Sequence, residues 1–276
     1  MKHFVLTLFL LFSSQLFAQK IAITIDDLPF SYSRGLSEKG KIEAFDKILQ
    51  ALEKHQVKAT MFVTSGNISD STKVILDKAL RAGHQLGNHT HKHLDLNKVS
   101  AKIYINDVDS CSMLANDWID SRYFRYSMLH RGNTQEKKDS VYNFLEKNNF
   151  IIAPVTIDND DWMYNRGYSL AMQIGDGKNM DRISKDYLNH MQEATSRYEK
   201  MSSQLIGRQI PHILLLHSNA INADYLDKLL SWYSKKGWEF ISLDEALKDD
   251  FYSIKEDYIG PYGFSQLDRI KESRGE

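Results

Sequence analysis

The stretch Ile21-Ala22-Ile23-Thr24-Ile25-Asp26-Asp27 joins a β-rich run to two adjacent carboxylates, and it decides the fold because the same pattern recurs along the chain. A helical periodicity over Lys41–Lys54 follows it, then the β-rich run Ala59–Val63, a helix over Ser71–Arg81 and a strand over His84–Asn88. The alternation continues with a helix over Ser100–Trp118, strand Tyr123–Arg125, helix Gln135–Lys147 and strand Phe150–Ala153. A long helix over Asp181–Leu205, strand His212–Leu216, helix Ala223–Lys235, the short strand Glu239–Ile241 and a helical Leu243–Leu247 complete it. Repeated βα units predict an α/β fold, with a parallel sheet or barrel inside and helices outside.

In folds of this kind the catalytic groups collect at the C-terminal ends of the strands. Polar clusters fall at those ends throughout. Asp26-Asp27 closes the first run, His89-Thr90-His91-Lys92-His93 the third, and Arg125 the next. Asp158-Asn159-Asp160-Asp161-Trp162 follows the Phe150 strand, and His217 ends the apolar run Ile213–Leu216.

The 276 residues carry 35 Lys and Arg against 36 Asp and Glu, with 42% hydrophobic residues, which argues against a disordered chain and against a nucleic-acid binder built on basic excess. The single cysteine, Cys111, excludes an internal disulfide and a thiolate zinc cluster, and within a helical stretch it reads as a buried inert thiol. Lys2, the apolar run Phe4–Phe12 and the small Ala18 predict a secretory signal peptide over residues 1–18. That run is shorter than the ~20 residues of a spanning helix, and no later segment approaches such a length. The expectation is therefore a secreted protein, periplasmic or extracellular, with no stable membrane insertion after cleavage. One catalytic domain is expected over residues 19–248. The charged extension 249–276 reads as a solvated tail or an added helix, with no function assigned.

Adjacent carboxylates at a strand end repel each other unless a cation or an arginine offsets the charge. In an extended chain they point to opposite faces, so Asp26 and Asp27 are expected to have different partners. His89 and His93 are four apart, which on a helical turn places both imidazoles on one face, as in a metal site. Two histidines with one carboxylate suit Zn2+ first, and also Co2+, Ni2+ or Mn2+. His91 points elsewhere on such a turn and reads as a spare.

These motifs, in this order from Ile21 to Leu247, resemble those of the polysaccharide deacetylases. That family consists of carbohydrate esterases that remove N-acetyl or O-acetyl groups from chitin-like glycans, peptidoglycan or other acetylated glycans. The resemblance implies a distorted (β/α) barrel and one divalent metal held by Asp27, His89 and His93. It makes Asp26 the general base, Arg125 the residue that orients it, and His217 the general acid. Asp161 is implied to pair with Arg125, Trp162 to wall the pocket, and Leu215 to line an apolar slot for the acetyl methyl. Thr90 braces the histidine loop. Tyr126, Tyr164 and Trp162 offer flat faces for sugar rings, and the N–H of Met128 falls at the family's oxyanion position. The third motif departs from the family pattern, with Ser127 where a proline is usual, which frees φ and restores an N–H. His130 and Arg131 extend the same loop and read as exposed residues or substrate contacts.

Hydrolysis of an acetamide needs a strong nucleophile, a polarised carbonyl and protonation of a poor leaving group, and this residue set supplies all of them. Two other readings use the same residues. One is a metal-dependent amidase acting on a non-sugar substrate. The other is a non-catalytic glycan-binding protein on the same scaffold, although binding alone does not require both an acid and a base.

Overall fold

The computed structural model describes residues 18–276. The leader expected over residues 1–18 lies outside them except for Ala18. Seven strands form one parallel sheet that curls into a half-barrel, in the order β5-β4-β3-β2-β1-β6, with β7 also paired to β1. The strands are β1 (Lys20–Leu28), β2 (Thr60–Val63), β3 (Gln85–Asn88), β4 (Tyr123–Phe124), β5 (Ile151–Ile152), β6 (His212–His217) and β7 (Glu239–Ile241). Around them lie α1 (Glu38–Lys54), α2 (Lys73–Arg81), α3 (Ala101–Leu114), α4 (Gln135–Lys147), α5 (Asp161–Gln173), α6 (Gly177–Ile206), α7 (Ala220–Lys235), α8 (Leu243–Ala246) and α9 (Gln266–Arg274). No helix among the described residues is long and apolar enough to cross a membrane.

The two-residue period of β1 builds the layers. Ile21, Ile23 and Ile25 join the main core beneath the helices, whereas Ala22 belongs to a small interior cluster with Phe62, Tyr123, Ile213 and Leu243. Above that cluster on the same face come Thr24 and then Asp26, so the inner face of β1 rises from an apolar plug to a carboxylate. β6 repeats the arrangement, with Leu214 and Leu216 outward and Ile213 inward. The same parity turns Leu215 and His217 toward the interior.

Local signals start the helices where polar caps stand. Ser37, Ser100, Thr134, Asp176, Asn219 and Ser265 each accept a backbone N–H from the first turn of α1, α3, α4, α6, α7 and α9. Two differences from the sequence reading bear on the site. Helix α5 is additional, since its first residues double as a polar site motif, and Gly175 at φ 70° turns the chain from it into α6. After β5 the chain also crosses the open side of the half-barrel. There the N–H groups of Thr156 and Ile157 bond Ile213 O of β6, and Leu215 N bonds Ile157 O.

The segment 249–276 is folded onto the domain. Phe251, Leu267 and Ile270 are buried in the main core, and Gln266 N donates to Val155 O at 2.7 Å. An added helix, α9, is thus the outcome, because two apolar residues of a charged segment fall on one helix face.

Candidate active site

The strand ends converge on one pocket. A bulge in β1 between Ile25 and Leu28 puts Asp27 at φ 66°, and this left-handed residue breaks the expected alternation. Both carboxylates consequently face the same centre, with His89 Nε2 at 3.6 Å from Asp26 Oδ2 and 3.7 Å from Asp27 Oδ1. The expectation of opposite faces is corrected, and that of different partners holds only in part, because both carboxylates share His89. Asp26 lies against Arg125, and Asp27 against His93 Nε2 at 3.5 Å.

His89 and His93 are brought together without a helical turn. Thr90 takes φ 69°, His93 takes φ 52°, and Thr90 Oγ1 accepts the His93 N–H at 3.1 Å. Left-handed backbone at a β-branched residue is strained. Among the described residues, five of the seven non-glycine positions with positive φ lie in this rim: Asp27, Thr90, His93, Met128 and Leu129. His91 turns aside to Ser65 Oγ at 2.9 Å.

Asp27, His89 and His93 each offer one donor atom, and these lie within 4.8 Å of one another. His89 Nδ1 meets the Arg125 carbonyl at 2.9 Å, which fixes the tautomer and leaves Nε2 a lone pair directed at the carboxylates. Burial lowers the His89 pKa to about 4 despite Asp26 and Asp27, so the ring is the neutral ligand form. Burial opposes charge on Asp27, but the neighbouring imidazoles, His93 and His217 first, outweigh it and hold the carboxyl below its ordinary range. A carboxylate and two neutral-capable imidazoles at these separations fit a divalent cation of the zinc type.

Arg125 is buried, donating to Asp26 at 3.4 and 3.5 Å and to Thr24 Oγ1 at 3.1 Å, and lying over the Phe62 ring at 4.6 Å. Burial lowers its pKa, and the charges of Asp26 and Asp158 oppose that. The expected Asp161–Arg125 pair does not form. Asp161 Oδ1 instead meets His217 Nδ1 at 2.6 Å, and its Oδ2 accepts from His217 N and from the Asn219 and Asn222 amides. The cause is topological, because the crossing to β6 delivers this motif beside His217 and leaves Arg125 on β4. Burial disfavours the charged His217 ring, yet Asp161 outweighs it and raises the pKa to about 10.

Asp158 was not singled out from the sequence, though it shares the motif. Burial pushes its carboxyl up to about 7, against a hydrogen bond from Asn159 N at 2.8 Å. Asn219 and Asn222 were missed too. Their spacing at the start of α7 is a capping signal, and Asn219 Oδ1 does accept the Asn222 N–H.

Tyr126 does not face the pocket. It packs with Phe124 and Tyr104 under α3 and α4, its ring stacked on Tyr104 at 6.1 Å, since the alternation that turns Arg125 inward turns its neighbours out. Tyr164 likewise packs on Tyr187 and His190. Trp162 and Met128 stand at the mouth, 51% and 47% exposed, and Leu215 is buried on the inner face. His130 pairs with Asp95 at 2.6 Å and Arg131 with Glu256 at 3.3 Å, so the structure gives both residues partners in the protein. Ser127 bonds Thr90 through its hydroxyl at 3.2 Å, and the N–H that a proline would lack goes to the Tyr104 hydroxyl at 3.1 Å. Cys111 is buried against the Val63 carbonyl, with its thiol pKa pushed up to about 11 by burial.

Comparison with known proteins bears on the family and the fold. The peptidoglycan-N-acetylglucosamine deacetylase of Bacillus cereus is 25% identical over 231 residues, 81% of this chain and 66% of that protein. The chain spans between 30% and 66% of the length of the first curated relatives it matches. Among solved structures, the chitin deacetylase of the fungal pathogen Colletotrichum lindemuthianum shares the fold at TM-score 0.58 and 20% identity, covering 84% of this chain and 88% of that one. A CE4 family pseudoenzyme from Bacillus anthracis does so at TM-score 0.56 and 16% identity, covering 83% and 66%. Sequence similarity to the polysaccharide deacetylase family extends over residues 15–156, more than half of the chain, and the chain belongs to that family.

Proposed function

We propose that this protein is an exported, metal-dependent deacetylase that hydrolyses N-acetyl or O-acetyl groups on a glycan. The observation that carries the reading is the pairing of Asp26 with His217. They are register partners on neighbouring strands, yet each is held by a different group of opposite charge, Arg125 for Asp26 and Asp161 for His217. Two proton-transfer groups on neighbouring strands, each beside its own counter-charge, are what an acid and a base require.

Asp27, His89 and His93 would hold the cation, and a divalent ion there would supply Lewis acidity and lower the pKa of the attacking water toward ~7. Asp26 takes a proton from the attacking water, and Arg125 positions it for that transfer. His217 enters as imidazolium, kept charged by Asp161, and gives its proton to the departing amine or alcohol as the bond to the acyl carbon breaks. Leu215 faces the acetyl methyl, Trp162 walls the mouth, and the Met128 N–H is the donor assigned to the carbonyl oxygen. A pseudoenzyme with this fold makes the residues, and not the fold, the ground for a catalytic reading.

The test is acetate release by the purified protein, stripped of metal and reloaded with Zn2+, on N-acetylglucosamine oligomers, peptidoglycan fragments and O-acetylated xylan. Metal-dependent release is expected from at least one of them. Silence across the panel with one equivalent of metal bound overturns the reading in favour of a non-sugar amide or of binding alone.

A further inference from the structure

The C-terminal segment does more than close the core. It crosses the rim beside the metal-binding loop, where Asn97 Nδ2 donates to the Pro261 carbonyl at 3.1 Å. Gly263 then sits on the Met128 carbonyl so closely that any Cβ there would overlap the oxygen. Met128 belongs to the turn whose Ser127 bonds Thr90, and Thr90 holds the backbone of His93. Residues 261–263 are thereby locked to the mouth through backbone contacts.

Aromatic rings stand on this strap in a fixed ladder. Arg269, buried and bonded to Glu256 at 2.9 Å, covers the Tyr258 ring at 5.0 Å. Tyr258 meets Phe264 at 5.0 Å, and Phe264 stacks on Tyr262 at 5.3 Å and 28°. The Tyr258 hydroxyl also accepts the Tyr262 N–H at 3.2 Å. Tyr262 ends the ladder 62% exposed, with one face supported and the other bare. A rigid exposed ring costs little entropy to use in binding. Its apolar face and polar rim match the axial C–H face and equatorial hydroxyls of a pyranose. Trp162, next in sequence to Asp161, is a second exposed ring of the chain.

We propose that Tyr262 is a glycan-binding residue, stacking on a sugar ring adjacent to the one that carries the acetyl group, and that it makes the protein prefer oligomers to short substrates. The proposal rests on the deacetylase reading for its ligand class, and its test is read by binding so that the two can fail separately.

Titration calorimetry with the dimer and hexamer of N-acetylglucosamine is run on zinc-loaded Asp26→Asn protein, with and without Tyr262→Ala. The hexamer is expected to bind about fivefold more weakly without the ring, as loss of one aromatic stack implies, while the dimer is unaffected. Tyr262→Phe, which keeps the stack, is expected to bind like its parent. Equal hexamer affinities, equal losses for both ligands, or no hexamer binding by the parent overturns the platform. Acetate release by the wild type is measured alongside. Its absence, with Tyr262-dependent binding intact, overturns the hydrolytic reading and leaves the platform standing.

Discussion

Asp26 and Asp27 differ in surroundings because one bulge places the second in the left-handed region and leaves the first on the strand beside Arg125. Replacing Asp26 by Asn keeps the three metal donors. It is expected to lower kcat by about 10²–10⁴-fold with metal content near wild type, whereas His89→Ala loses both. Acetate release and metal analysis of the two variants check this. His217 supplies a pH signature. On the proposed mechanism it gives its proton only while charged, so a pKa raised to about 10 by Asp161 is expected to set an alkaline limb in the rate profile. Asp161→Asn removes the charge that outweighs burial, and the limb is expected to move down toward or below the ordinary value of about 6.5. The same ion pair contributes to stability with a fixed sign. Its contribution is full below about pH 6.5 and is lost as pH rises through the raised value, so melting temperatures of wild type and Asp161→Asn converge in alkali.

At the scale of elements, the rim depends on turns that hold strained residues by side-chain bonds. The loop of residues 89–93 reaches its geometry through Thr90, and the turn of residues 127–129 is tied to it through Ser127 and to α3 through the Tyr104 hydroxyl. Restoring the family's proline at Ser127 removes an N–H from a fully buried hydroxyl. Ser127→Pro is expected to cost about 1–3 kcal/mol, read as a shift in denaturant midpoint, and Tyr104→Phe in that background to cost little more. Full additivity of the two substitutions counts against this coupling. Trimming Thr90 to Val keeps its shape but drops the bond to His93. Because that bond orients His93, a proposed ligand, metal affinity is expected to fall about 10–100-fold in a competition titration.

For the whole molecule, the decisive feature is the path after β5. The chain leaves an edge strand, bridges the open side of the half-barrel and runs beside β6, and only then delivers Asp158 to Trp162. The tail packs back over the outside, where Leu267 and Ile270 are buried in the main core. Removing residues 249–276 is expected to abolish a cooperative thermal transition, and Leu267→Ala alone to cost about 2–5 kcal/mol. A truncated protein melting like the full chain sinks that expectation.

The alternation of β-rich and amphipathic runs determined an α/β fold on a parallel sheet, because two-residue and helical periods are local properties of the chain. The same local rules carried Asp26, Asp27, His89, Arg125 and His217 to strand ends, whereas the expectation that Tyr126 faces a sugar ring failed, since strand parity turns it away from Arg125 into the packing with Tyr104. Tertiary structure alone decided the rest. The partner of Asp161 depends on which strand the chain reaches after β5, Asp158 acquires its raised pKa chiefly from burial, and the tail reaches Met128 only through packing. Each of these is set by contacts between residues far apart in sequence, and no local period encodes such contacts.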